Sequence, residues 1–155
     1  MLKLSPKYFQ GFIMSLSSST VEICKATAPV LTEHGEAITT RMYEILFSTY
    51  PETRILFGDA PEEQHKILAS AIVAYASNID NIAVLGKAVE KMAQRHVKTK
   101  VKAEHYPMVG TSLLQAIQDV LGDDSTEDVI NAWKEAYFFL ADILIARESE
   151  IYTQN

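Results

Sequence analysis

The sequence predicts an all-α chain, on three observations. Apolar residues recur at steps of three and four along nearly its whole length, the period of a helix with one buried face. No segment alternates apolar and polar residues with the Val, Ile and Thr enrichment of a strand. Glycine or proline marks several of the expected helix ends and starts, at Gly35, Pro51, Pro61 and Gly122. At 155 residues the chain is the size of one domain, and folding should bury roughly two-thirds of its unfolded surface.

The expected elements follow in order, about seven helices of unequal length. Residues 1–18 read as an N-terminal extension, and the folded domain is expected over 19–155. From Ser19 to His34 a first helix places Val21, Cys24, Ala28 and Leu31 on one face. Gly35 breaks it and allows a close helix approach. A second helix, about 36–50, turns Ile38, Met42, Ile45 and Leu46 inward, and Pro51 ends it because the residue before a proline avoids the α region. The stretch PETRILFGDAP, 51–61, holds two prolines and a glycine and predicts short turns. Asp59 and Pro61 then start a helix to about Asn78, with Leu68, Ala71, Ile72 and Tyr75 on one face. A helix over about 82–97 carries Leu85, Val89, Met92 and His96 on one stripe. The basic connector KTKVKA, 98–103, leads into a helix over 104–121 with Val109, Leu113, Ile117 and Val120 inward, closed by Gly122. Ser125 to Asp128 cap the last helix, expected to reach Tyr152. Helices this uneven suit a pocket-forming fold better than a regular bundle.

Composition narrows the function. A formal net charge of −6 disfavours nucleic acid as the main partner. Nearly half the residues are apolar, without a run that would span a membrane. Pro6, Lys7 and Gln10 interrupt the apolar stretch an export signal needs. With Cys24 the only cysteine, no intrachain disulfide forms, and a reducing cytoplasmic setting is expected. His34, His65, His96 and His105 contain no helical metal pair, which argues against zinc. Neither a hydrolase nucleophile motif nor a glycine-rich phosphate loop occurs.

His96 occupies a position where the stripe calls for Leu or Val. From the residues alone it is either a metal ligand or a hydrogen-bonded core histidine. A ligating imidazole needs its second N–H held by an acceptor. Glu148 would serve if anchored by Tyr106, although a solvated charge and a boundary aromatic are the plain alternatives. Tyr137 lies eleven residues before Glu148, three turns along the same face.

Several stretches taken together resemble a known family: KATAPVLTEHGEAITTRMYEILF, RILF, AYASNIDN, RHV, AEHYPMVGTSLLQAI and AWKEAYFFLADILI, in order from about Val21 to Tyr152. The chain resembles a single-domain bacterial haemoglobin of the flavohaemoglobin type. The resemblance implies a globin fold around a pocket for haem b, with His96 as proximal iron ligand and Tyr106 and Glu148 as its hydrogen-bonding partners. Such a triad would favour oxygen activation over storage. It further implies that Phe57 packs on the haem, Tyr43 and Gln64 form the distal pair, Leu68 crowds the bound ligand, and Tyr137 lines or supports the proximal side. A one-residue shift would put His65 in the place of Gln64; the spacing of four to Leu68 favours Gln64. The implied ligands are dioxygen, nitric oxide and carbon monoxide, and the implied reaction is conversion of nitric oxide to nitrate. Relatives continue into a flavin reductase, so a separate reductase is the implied electron source. Charge alone, not the resemblance, offers Lys98, Lys100 and Lys102 as its dock in an otherwise acidic chain, with a solvated basic loop as the plain alternative. A homodimer is a further implication. A non-enzymatic oxygen carrier or sensor, and a cofactor-free helical interaction module, are the competing classes.

Overall fold

A computed structural model describes residues 16–57 and 64–154. Among them are six α-helices, α1 (Ser18–Glu33), α2 (Gly35–Thr49), α3 (Gln64–Ser77), α4 (Gly86–Lys98), α5 (His105–Leu121) and α6 (Glu127–Gln154), with short 3-10 turns at Pro51–Phe57, Ile82–Leu85 and Gly122–Asp124. No strand occurs among the described residues. The expected extension falls largely outside the described residues, as does the helix start at Asp59 and Pro61.

Local chemistry sets the boundaries. Ser17 caps α1, its side chain accepting from Thr20 N. Only His34 separates α1 from α2, and Gly35 is buried where an added Cβ would meet Ala69 Cβ at 3.4 Å. Tyr50 leaves the helical region at φ −128° and ψ 69°. The cause is Pro51, which disfavours α geometry in the residue before it. The helix expected from 82 instead begins as a 3-10 turn and becomes α only at Gly86. Gly122 closes α5 at φ 56°. Glycine carries no Cβ penalty in that region. Thr126 Oγ1 accepts from Val129 N at the start of α6.

The 28-residue α6 is the spine, packing on α1, α4 and α5, while α2 packs on α5 and α3. Cys24, Met42, Leu46, Ile117 and Ile143 are fully buried where these helices meet. Polar ties fix the register. Tyr75 Oη donates to Ala136 O (2.7 Å), joining α3 to α6, and Trp133 Nε1 donates to Thr27 Oγ1 (2.8 Å), joining α6 to α1. Between α4 and α6, Arg147 grips Glu90 through Nε (2.7 Å) and Nη2 (3.1 Å), and Gln94 Nε2 donates to the same carboxylate.

That fork is buried, with Arg147 2% and Glu90 3% exposed. Arg147→Ala strands a buried carboxylate and should lower unfolding free energy by about 3–5 kcal/mol, whereas Glu90→Leu with Arg147→Met should recover most of the loss. Urea titration followed by Trp133 fluorescence checks both.

Candidate functional site

The connector between α4 and α5 determines where His96 stands. Lys100 has φ 66°, the left-handed conformation, and around it Val101 N donates to His96 O (2.8 Å) and Lys100 N to Val97 O (3.1 Å). This pair of bonds is a Schellman motif with lysine in the position glycine usually fills. The carbonyl of His96 is thus tied off by the turn that ends its helix. Tyr152 Oη holds Val101 O (2.6 Å), and His105 Nδ1 accepts from Lys102 N (2.9 Å), so the connector is fastened at both ends.

The turn brings Tyr106, in the first turn of α5, back against His96, while α6 delivers Glu148. His96 Nδ1 lies 2.9 Å from Glu148 Oε2 and 2.9 Å from Tyr106 Oη, and Tyr106 Oη donates to Glu148 Oε2 at 2.7 Å. Tyr106 and Glu148 are buried, at 6% and 3% exposure. The protonation pattern follows. A carboxylate cannot approach an imidazole lone pair this closely without repulsion, so Nδ1 carries the proton and donates it to Glu148. In the neutral imidazole Nε2 then presents a lone pair, and it has no hydrogen-bond partner among the described residues. Burial and the charge of Glu148 push the Tyr106 phenol well above its ordinary value, keeping its proton in place.

Tyr137 completes the support, donating to Tyr106 O at 2.7 Å. Its ring lies against Gly110, where an added Cβ would fall 2.6 Å from Cε2. Only glycine fits there. Mid-helix placement of Gly110 was the available sequence signal; nothing local marked Lys100 or the Glu90–Arg147 fork.

A second group of the expected residues gathers at α2, the turn after it and α3. The Tyr43 and Phe57 rings meet edge to face at 5.3 Å, beside Phe47. Burial raises the Tyr43 phenol, and a hydrogen bond with the Gln64 side chain acts in the opposite direction, as an amide donating to the phenol oxygen does. His65 has its imidazole 3.8 Å from Glu36, and its backbone carbonyl accepts from Thr39 Oγ1 at 2.8 Å. Leu68 is half-buried one turn after Gln64.

The arrangement suits a metal-containing group. Among the described residues no three His, Cys, Asp or Glu side chains converge on one point, so a metal taken by Nε2 would draw its other ligands from outside those residues. Leu85, Met92, Val97 and Val101, near His96 in sequence, are partly buried and pack on the core. No described helix is long and apolar enough to cross a membrane.

Comparison with known proteins bears on what that group is. The profile of the family described as Globin matches residues 40–144. An uncharacterized globin-like protein of Aquifex aeolicus is 52% identical over 90% of this chain and 99% of its own length. A flavohemoprotein of Rhodopirellula baltica is 48% identical over 90% of this chain, which spans only 35% of that protein. Among solved structures, an engineered carbene transferase made from a candidate nitric oxide dioxygenase of Rhodothermus marinus is 46% identical, with TM-score 0.86 over 89% of this chain and 96% of that one. The flavohemoglobin of Malassezia yamatoensis, with bound FAD and heme, is 28% identical, with TM-score 0.68 over 90% of this chain and 38% of that one.

Two outcomes are expected. Lys100→Gly relieves the left-handed lysine and should raise stability by about 1 kcal/mol, read by urea unfolding. The raised phenol of Tyr106 keeps its contribution whole below pH about 10, the unfolded value, and loses it as pH climbs toward the folded one. Stability should therefore fall above pH about 10, and less steeply in Tyr106→Phe.

Proposed function

This chain belongs to the globin family, and from that premise we propose that it holds haem b through His96 Nε2, binds dioxygen reversibly, and converts nitric oxide to nitrate with electrons from a separate flavin reductase. The observation that carries the reading is the imidazole whose Nδ1 proton is committed to a buried carboxylate while Nε2 stays available. Haem, when bound, would be held by His96 and would supply a redox-active iron able to bind a diatomic ligand.

The chain's residues do the rest. Glu148 draws on the Nδ1 proton and makes the imidazole a more basic ligand. Tyr106 fixes Glu148, and Tyr137 fixes the backbone of Tyr106. Tyr43 would donate its phenol O–H to a diatomic ligand carrying partial negative charge, with Gln64 beside it. Phe57 and Leu68 keep water out. Nitrate formed from one nitric oxide and one dioxygen takes up one electron, which is why an electron donor belongs in the scheme. The flavohemoprotein relatives and the carbene transferase's parent support the reaction, and the FAD of the Malassezia protein supports a flavin donor.

Haem titration of the purified chain, read by its absorption spectrum, tests the cofactor. His96→Ala should lose the axial imidazole signature. With dioxygen and a reductant present, nitric oxide should be consumed with nitrate formed mole for mole. Tyr43→Phe should speed dioxygen release on the order of ten-fold, the scale of one hydrogen bond to a charged group. Reversible dioxygen binding without accelerated nitrate formation would instead mark a carrier or sensor.

A further inference from the structure

The outward face of α4 carries a line of cations. Lys87, Lys91, Arg95 and Lys98 recur at intervals of four, four and three. That spacing gathers them within less than a quarter of the helix circumference, with His96 on the opposite side. Lys100 and Lys102 extend the line along the connector. All six are exposed, and none forms an ion pair among the described residues. Lys102 lies over the Tyr152 ring at 5.2 Å. The stretch 87–102 holds six of the chain's 14 Lys and Arg and a single acid, Glu90, giving +5 locally within a net charge of −6, so the remainder carries −11. Even Glu90 is sequestered by Arg147.

Helix electrostatics explains only part of this. Arg95 and Lys98 suit the C-terminal turn of α4, but Lys87 stands in the first turn, where the macrodipole disfavours a cation. The line is thus held against a local cost, which points to a partner.

We propose that this face docks an acidic electron-donor protein, an inference that rests on the functional reading above. Extended polyanions fit poorly: a nucleic acid or an anionic membrane plane reaching beyond the line meets the −11 remainder and is repelled. A compact acidic protein covers the line alone. The helical part is about 16 Å long, the scale of the small interfaces of transient electron-transfer pairs. A donor seated there stands one helix diameter, about 10–12 Å, from the His96 side of α4.

The test uses the haem-loaded full chain, with reduced flavodoxin, a small acidic flavin protein, as donor in stopped flow. Lys87→Glu, Lys91→Glu and Lys98→Glu together should slow reduction roughly ten-fold or more at low salt. Lys25→Glu, Lys66→Glu and Lys134→Glu, the same charge change on other faces, should slow it far less. The difference should vanish near about 1 M salt, where screening acts within about 3 Å. Reduction by photoreduced deazaflavin, a small neutral donor, should be unchanged in both. Equal slowing of the two variants, or no salt dependence, overturns the proposal. So does an unaffected flavodoxin rate with lost retention on duplex DNA or phosphatidylglycerol vesicles. A chain that takes up no haem defeats the functional reading instead. Amide shift changes across 87–102 on adding oxidised flavodoxin would then still decide whether the surface exists.

Discussion

One proton, on Nδ1 of His96, is the constraint around which the rest is arranged. It lies between the imidazole and Glu148 Oε2, and Tyr106 Oη donates to the same oxygen. Three helices contribute to that contact, so its geometry is only as good as the registers of α4, α5 and α6. Each register has its own device. The Schellman turn ties the His96 carbonyl, Gly110 admits the Tyr137 ring that holds Tyr106 from behind, and the Arg147 fork locks α6 onto α4 one residue from Glu148. A carboxylate at 3% exposure is costly to bury. Its acceptance of two strong donors is what makes the position tolerable.

Much of this was legible in the sequence, and the limits have physical causes. Helix ends marked by local chemistry could be read directly: Pro51 excluded the α region at Tyr50, and Gly122 accepted a positive φ. The periodicity placed Val89 and His96 on one stripe, because a helix repeats every 3.6 residues whatever its surroundings. The change from 3-10 to α winding at Gly86 was not legible, since a continuous apolar stripe reads the same in both. Lys100 was hidden for another reason. Left-handed lysine is imposed by the short route from α4 to α5, a tertiary demand overriding residue preference.

The site residues divide in the same way. His96 stood out because an imidazole interrupts an apolar stripe, whereas Tyr106 and Glu148 were open candidates from the residues alone and became its expected partners only with the resemblance. Glu90 and Arg147 look like two ordinary surface charges 57 residues apart, and only packing turns them into a buried fork. For Gln64 against His65, a shift of one residue is a rotation of about 100° on a helix. That rotation separates a side chain bonded to Tyr43 from one that stands beside Glu36.

Tyr106 has a double effect that follows from its sharing of one oxygen with His96. By holding Oε2 at 2.7 Å it keeps Glu148 in line with Nδ1, which strengthens the pull on the imidazole proton. By donating to that same oxygen it also withdraws negative charge from the His96 side, which weakens the pull. The phenol is the shorter of the two contacts, 2.7 Å against 2.9 Å, and burial beside Glu148 keeps it protonated, so both effects persist across the neutral pH range. How the two donors divide that one oxygen sets how strongly Glu148 draws on the Nδ1 proton, and a carboxylate without the phenol would draw on it more.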